Sequence, residues 1–84
     1  MIQGEGRLDD AVATSVRAGR ARLRLTQHEL AERLGWPRST LAILEQSRRR
    51  VTLEDLPALC RVFEISLKEL LRHAASEDIA ALNL

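Results

Sequence analysis

The chain has 84 residues, 45% of them hydrophobic and 30% charged, with a formal net charge of +1. That is room for one small globular domain, and it is neither a disordered composition nor one with the ~20-residue apolar run of a membrane span. Trp36 and Phe63 are the only aromatics, so the core must be aliphatic, and the lone Cys60 cannot make an internal disulfide. The N-terminus MIQGEGRLDD has no apolar leader core, and the expected location is the cytoplasm.

Charge is unevenly placed. Residues 1–50 carry ten arginines against six acids, net +4, whereas residues 51–84 are net −3. Twelve of the thirteen cations are arginine, the side chain best shaped for phosphates and base edges. A basic half joined to an acidic half suggests a face for an anionic partner.

Residues 1–8 read as a flexible leader. The first helix is expected over 9–23: Asp9 and Asp10 favour a helix N-terminus, and Val12, Val16, Gly19, Arg20 and Leu23 share a face. The second, over 27–34, opens on Thr26-Gln27-His28-Glu29, a capping box with Leu25 and Leu30 as its hydrophobic staple. Gly35 suits the end of that helix and Pro37 the start of the next, over 37–46, with Leu41 and Leu44 facing inward. Thr52 to Asp55 repeats the box, with Val51 and Leu56 as staple, and predicts a helix over 53–63. In that register Pro57 falls inside the helix, removes one hydrogen bond and bends the first turn. Ser66 to Glu69, flanked by Ile65 and Leu70, predicts a fifth helix over 67–74. Residues 75–84 form a tail with room for a short helix or arm. No alternating β-branched run argues for a strand. The expected fold is all-α, a compact five-helix domain over 9–74.

The helices at 27–34 and 37–46 are joined by a two- or three-residue turn containing glycine. So short a link forces a sharp crossing, the geometry of a helix-turn-helix whose second helix enters the DNA major groove. With Leu41 and Leu44 inward, helical periodicity puts Arg38, Ser39, Ala42, Ile43 and Gln46 on the outer side. An arginine in the first turn can bond guanine O6 and N7 together, and Ser39 and Thr40 can serve bases or phosphates. Ile43 fits against a thymine methyl, or alternatively packs on a partner protein or neighbouring helix. Arg48, Arg49 and Arg50 point in different directions, so not all can read bases, and phosphate neutralisation is their expected role. Gln46 joins the phosphate set.

The stretch RLTQHELAERLGWPRSTLAILEQSRRRVTLEDLPALCRVFEISLKELL resembles the lambda repressor/Cro-like (XRE-type) helix-turn-helix family. The resemblance is carried most specifically by Leu25-Thr26-Gln27, Glu29-Leu30-Ala31, Leu34-Gly35, Ser39-Thr40-Leu41 and Leu44-Glu45. It implies a lambda-repressor-like fold and a double-stranded DNA partner. Gln27 would bond a DNA phosphate, and Ala31 would let the two helices approach. Arg38, Ser39, Thr40 and Ile43 would face the groove, and Arg20 with Glu45 would form an internal ion pair. Arg20 and Glu45 also sit on otherwise apolar faces, which favours that pair independently. The sequence departs from the family pattern at Trp36, which covers the domain surface or flanks the DNA backbone, and at Pro37, which replaces a capping hydroxyl. Ser47 and Glu64 stand where glycine is common.

No site chemistry competes. His28, Cys60 and His73 fall on three different expected helices without metal-ligand spacing. His28 is expected to be exposed, Cys60 a small core residue, and His73 a complement to a helix C-terminus. There is no glycine-rich phosphate loop or nucleophile motif, so neither an enzyme nor a cofactor is expected. The expected function is sequence-specific regulation of transcription by operator occupancy, as a Cro-like repressor or controller. A homodimer on a near-palindromic operator would place half-sites about 34 Å apart. Leu71, Ile79, Leu82 and Leu84 either form that dimer interface or cap the monomer's own core. Such a regulator would act by blocking RNA polymerase or by touching it to activate. The alternative is a protein-interaction module on the same scaffold, binding a toxin, a sigma factor or another regulator.

Overall fold

The computed structural model describes residues 7–74 and 76–83, which form six helices and no strand among the described residues. They are α1 (Arg7–Leu23), α2 (Gln27–Leu34), α3 (Arg38–Glu45), α4 (Asp55–Phe63), α5 (Leu67–Leu70) and α6 (Ser76–Ala81). Residues 1–6, the greater part of the expected flexible leader, lie outside the described residues. Arg7 and Leu8, assigned to that leader in the sequence reading, belong to α1.

The helix starts follow local capping chemistry. At α2, Thr26 Oγ1 accepts from the Glu29 amide at 3.0 Å and Glu29 Oε1 accepts from the Thr26 amide at 2.8 Å, a complete capping box. At α5, Ser66 Oγ accepts from the Glu69 amide at 3.1 Å, but the Glu69 carboxylate turns instead to Arg72 at 2.8 Å. Thr52 and Asp55 also bond reciprocally, at 3.3 and 2.9 Å. Here the box closes a turn over residues 53–54 that leads directly into α4, which begins at Asp55, two residues later than expected. Pro57 consequently sits in the first turn of α4, where an amide has no intrahelical acceptor, so it interrupts no hydrogen bond. The fifth helix is shorter than 67–74: α5 stops at Leu70, and tight turns such as Arg72 N–H to Glu69 O continue the chain.

Two helix ends lack the glycine they would favour. Ser47 and Glu64 hold φ values of 60° and 55°, and Arg24, which ends α1, holds 58°. The left-handed turn is kept and the side chain bears its steric cost, about 1–2 kcal/mol each.

The core is aliphatic. Val12, Val16, Leu30, Leu41, Leu44, Leu59 and Leu70 are sealed from solvent, and Ala31, Phe63 and Leu71 close around them. Leu71 is thus part of the monomer's core. Leu23, expected on the inner face of α1, is 37% exposed because the chain reverses immediately after it. Cys60 is only half-buried, against the core rather than within it; burial still pushes its thiol pKa up.

Gly19 of α1 lies against the ring of Phe63, the last residue of α4. A Cβ built there would lie 2.7–3.0 Å from three atoms of the Phe63 ring, which is itself buried. Gly19→Ala is therefore expected to destabilise the fold by about 1–3 kcal/mol, despite the better helix propensity of alanine. Urea denaturation would show it as a lowered midpoint at unchanged slope.

Hydrogen bonds from Thr26 hold the Glu29 carboxyl below its ordinary pKa. Its contribution is then complete above the ordinary carboxylate pKa and lost as pH falls through the lowered one. The stability gap between the native chain and Glu29→Ala is expected to narrow on acidification across that window, measured by denaturation at a series of pH values.

Candidate nucleic-acid interface

The turn between α2 and α3 is set by backbone geometry. Gly35 adopts φ 74°, and a Cβ there would meet nothing within 4 Å, so glycine serves the dihedral and not a close contact. The amides of Gly35 and Trp36 bond back to Glu32 and Ala31 carbonyls at 3.1 and 2.9 Å, which closes α2. Pro37 then holds an extended conformation and its carbonyl receives the Thr40 amide at 3.1 Å, but it supplies no side-chain cap.

Helix α3 is held from behind. Leu41, Leu44 and Glu45 are buried. Glu45 accepts Arg20 Nε at 2.8 Å on one carboxylate oxygen and Arg20 Nη2 at 3.0 Å on the other. This two-pronged pair joins α1 to α3. Gln27, at the start of α2, donates its amide nitrogen to Glu45 Oε1 at 2.9 Å. Because an ionised carboxylate accepts only, this contact fixes which end of the Gln27 amide faces inward. Arg17 donates to the Glu45 backbone carbonyl, and Arg20 Nη1 donates to the Leu25 carbonyl at 3.1 Å. All three helices of the unit thus meet at one acid.

The opposite side of α3 is open. Arg38, Ser39 and Gln46 are exposed, Ile43 is 43% exposed, and Thr40 is half-buried. Among the described residues the side chains of Arg38, Ser39, Thr40 and Gln46 have no hydrogen-bond or ionic partner. The loop after α3 alternates: Arg48 and Arg50 are exposed, Arg49 and Val51 half-buried. Arg49 reaches Asp55 at 3.2 Å and lies over the Trp36 ring, 5.9 Å from its centroid. Trp36 itself packs on the core. The Val51 amide donates to Asp9 Oδ1 at 2.9 Å.

Sequence reasoning did not find the contacts made by Arg17 and Asp9. Their acceptor and donor lie 28 and 42 residues away, and nothing in the local pattern marks them. His28 is exposed beside Glu32 at 3.5 Å, and His73 is exposed. Among the described residues no three His, Cys, Asp or Glu side chains gather as a metal site would require, and no helix is long and apolar enough to cross a membrane.

Removing one partner of the central pair should be costly. Glu45→Gln leaves Arg20 without its charge partner, and a loss of about 2–4 kcal/mol is expected in chemical denaturation, scaled down from a fully buried pair because Arg20 keeps some solvent.

Comparison with known proteins agrees with this geometry. A helix-turn-helix family model matches residues 16–70. The clp gene regulator ClgR from Corynebacterium glutamicum is 30% identical and superposes with a TM-score of 0.73, over 90% of this chain and 82% of that one. A hypothetical transcription factor, NHTF, from Neisseria has the same fold at 21% identity and a TM-score of 0.72, over 89% of this chain and 84% of that one. No match was found among curated protein sequences. The chain belongs to the XRE/Cro–C1 type of the helix-turn-helix family, the DNA-binding regulators of transcription.

Proposed function

We propose that the protein represses or controls transcription by occupying a specific double-stranded operator, with α3 in the major groove. The observation that carries this reading is the asymmetry of α3. Its inner side is locked by Glu45, Leu41 and Leu44, while Arg38, Ser39 and Ile43 stand exposed with hydrogen-bonding and methyl-packing chemistry unspent. Arg38 in the first turn supplies a two-pronged donor for guanine, Ser39 and Thr40 supply hydroxyls, and Ile43 supplies an apolar contact for a thymine methyl. Arg48 and Arg50 with Gln46 flank the helix and suit phosphates. Gln27 retains a second amide hydrogen beyond the one given to Glu45, and that hydrogen suits a phosphate oxygen. The uncapped N-terminus of α3 favours the same negative charge.

Selection of bound sequences from random duplex DNA at defined salt tests this directly. A recovered motif supports operator recognition, and failure to enrich any sequence overturns it. Arg38→Ala is expected to relax preference at one base pair by about 1–3 kcal/mol while sparing the rest of the motif.

One domain of this size makes few contacts, and we place a homodimer on the operator. Leu8, Leu53 and Leu82 are exposed and line one apolar groove with Val51, Leu56 and Leu67, and Ile79 of α6 is half-buried. Leu84 lies outside the described residues. A second copy seated there would cover these leucines, and half-sites would lie about 34 Å apart. Sedimentation is expected to give twice the chain mass, and Leu82→Lys to return it to the monomer; a monomeric mass at high concentration with and without DNA removes the dimer. The exposed Ile43 also favours a second reading, a surface for another protein. That reading predicts partner binding that is insensitive to salt, against the steep salt dependence of duplex binding.

A further inference from the structure

We propose that Arg49 is a positioning residue that braces the basic loop, rather than a third phosphate contact; the role rests on the DNA-binding reading above. The guanidinium is enclosed on two sides. Its Nη2 sits 3.2 and 3.4 Å from the two oxygens of Asp55, and its carbon lies 5.9 Å from the centre of the Trp36 ring. Its Nε is buried and has no partner, so the side chain gives up a hydrogen bond to keep this position. Asp55 is itself fixed, being buried and bonded to the Thr52 amide at 2.9 Å. Trp36 belongs to the turn between α2 and α3. Arg49 therefore ties the loop after α3 both to the turn before it and to the first turn of α4.

The alternation along the loop explains why this matters. With Arg49 and Val51 turned inward and held by Asp55 and Asp9, Arg48 and Arg50 are both turned outward. The inward arginine sets the aim of its two neighbours, which would otherwise lose rotational freedom only on meeting the duplex.

The salt dependence of duplex binding separates the two roles. The full chain and its variants are titrated with one short duplex of fixed sequence over a range of salt. Each of Arg48→Ala and Arg50→Ala is expected to flatten the log–log salt slope by about 0.9. Arg49→Met and Asp55→Asn are expected to leave the slope unchanged and to weaken binding about five- to tenfold at every salt, the cost of ordering a loop no longer braced. Asp55→Asn is the sharper arm. It removes a negative charge near a polyanion, so a freed Arg49 that reached phosphate would tighten binding. Tightening by Asp55→Asn, or a slope flattened by Arg49→Met as much as by Arg48→Ala, overturns the proposal.

Emission from Trp36, the only tryptophan, reports the brace without DNA. It should shift in Arg49→Met and Asp55→Asn but not in Arg48→Ala or Arg50→Ala; an unmoved spectrum in the first two overturns the brace alone. If Arg49→Met does not fold, by its circular dichroism, Arg49→Lys keeps the charge but loses the flat face and the fork. It is expected to shift Trp36 emission and weaken binding at unchanged slope, and binding as tight as the native chain overturns the proposal. If the unaltered chain binds no duplex at any salt, the DNA reading fails and the role of Arg49 fails with it, whatever Trp36 shows.

Discussion

The orientation of α3 depends on a single carboxylate. Glu45 receives two prongs from Arg20 on α1 and one amide hydrogen from Gln27 on α2, and its own carbonyl receives Arg17. Apolar packing by Leu41 and Leu44 would hold α3 against the core but would tolerate rotation about its axis, since hydrophobic contact has little directionality. Charge-assisted, two-pronged bonds do not tolerate it. The acid thus converts a packed helix into an aimed one, and exposure of Arg38, Ser39 and Ile43 on the far side follows from where Glu45 is held.

This arrangement also changes what the arginine-rich composition means. Of the nine arginines between residues 17 and 50, Arg17, Arg20 and Arg49 are engaged by the molecule's own acceptors. Arg22, Arg24, Arg33, Arg38, Arg48 and Arg50 remain on the surface. Overall charge is a poor guide to the strength of an anionic interface when several cations hold the scaffold. The distribution of the surface ones is the better guide, and three of them, Arg38, Arg48 and Arg50, stand on or directly after α3.

Local chemistry was legible in the sequence, and distant pairing was not. The start of α2 could be read from Thr26 and Glu29 because both halves of that box lie within one turn. The same pattern at Thr52 misplaced the start of α4, since reciprocal bonds across three residues close a turn whether or not a helix continues from it. Leu41 and Leu44 on the inner side of α3 followed from periodicity alone. Asp9 was read for its charge near a helix start; its bond to the Val51 amide requires knowing that the two ends of the fold meet. For the same reason the run Arg48 to Arg50 looked uniform: Trp36 and Asp55, which distinguish the middle arginine, are brought to it only by the tertiary fold.

The left-handed residues at Arg24, Ser47 and Glu64 carry a further consequence. Glycine at such corners would relieve the backbone but leave bare surface. Two of the three corners adjoin the helix-turn-helix in the chain, Arg24 preceding the α2 cap and Ser47 standing between Gln46 and Arg48. A charged and a hydroxyl group are thereby displayed at bends where a more stable chain would show none. Glycine at any one of them would relieve a backbone cost of about 1–2 kcal/mol and remove the side chain displayed there, so each corner couples stability to what the surface presents.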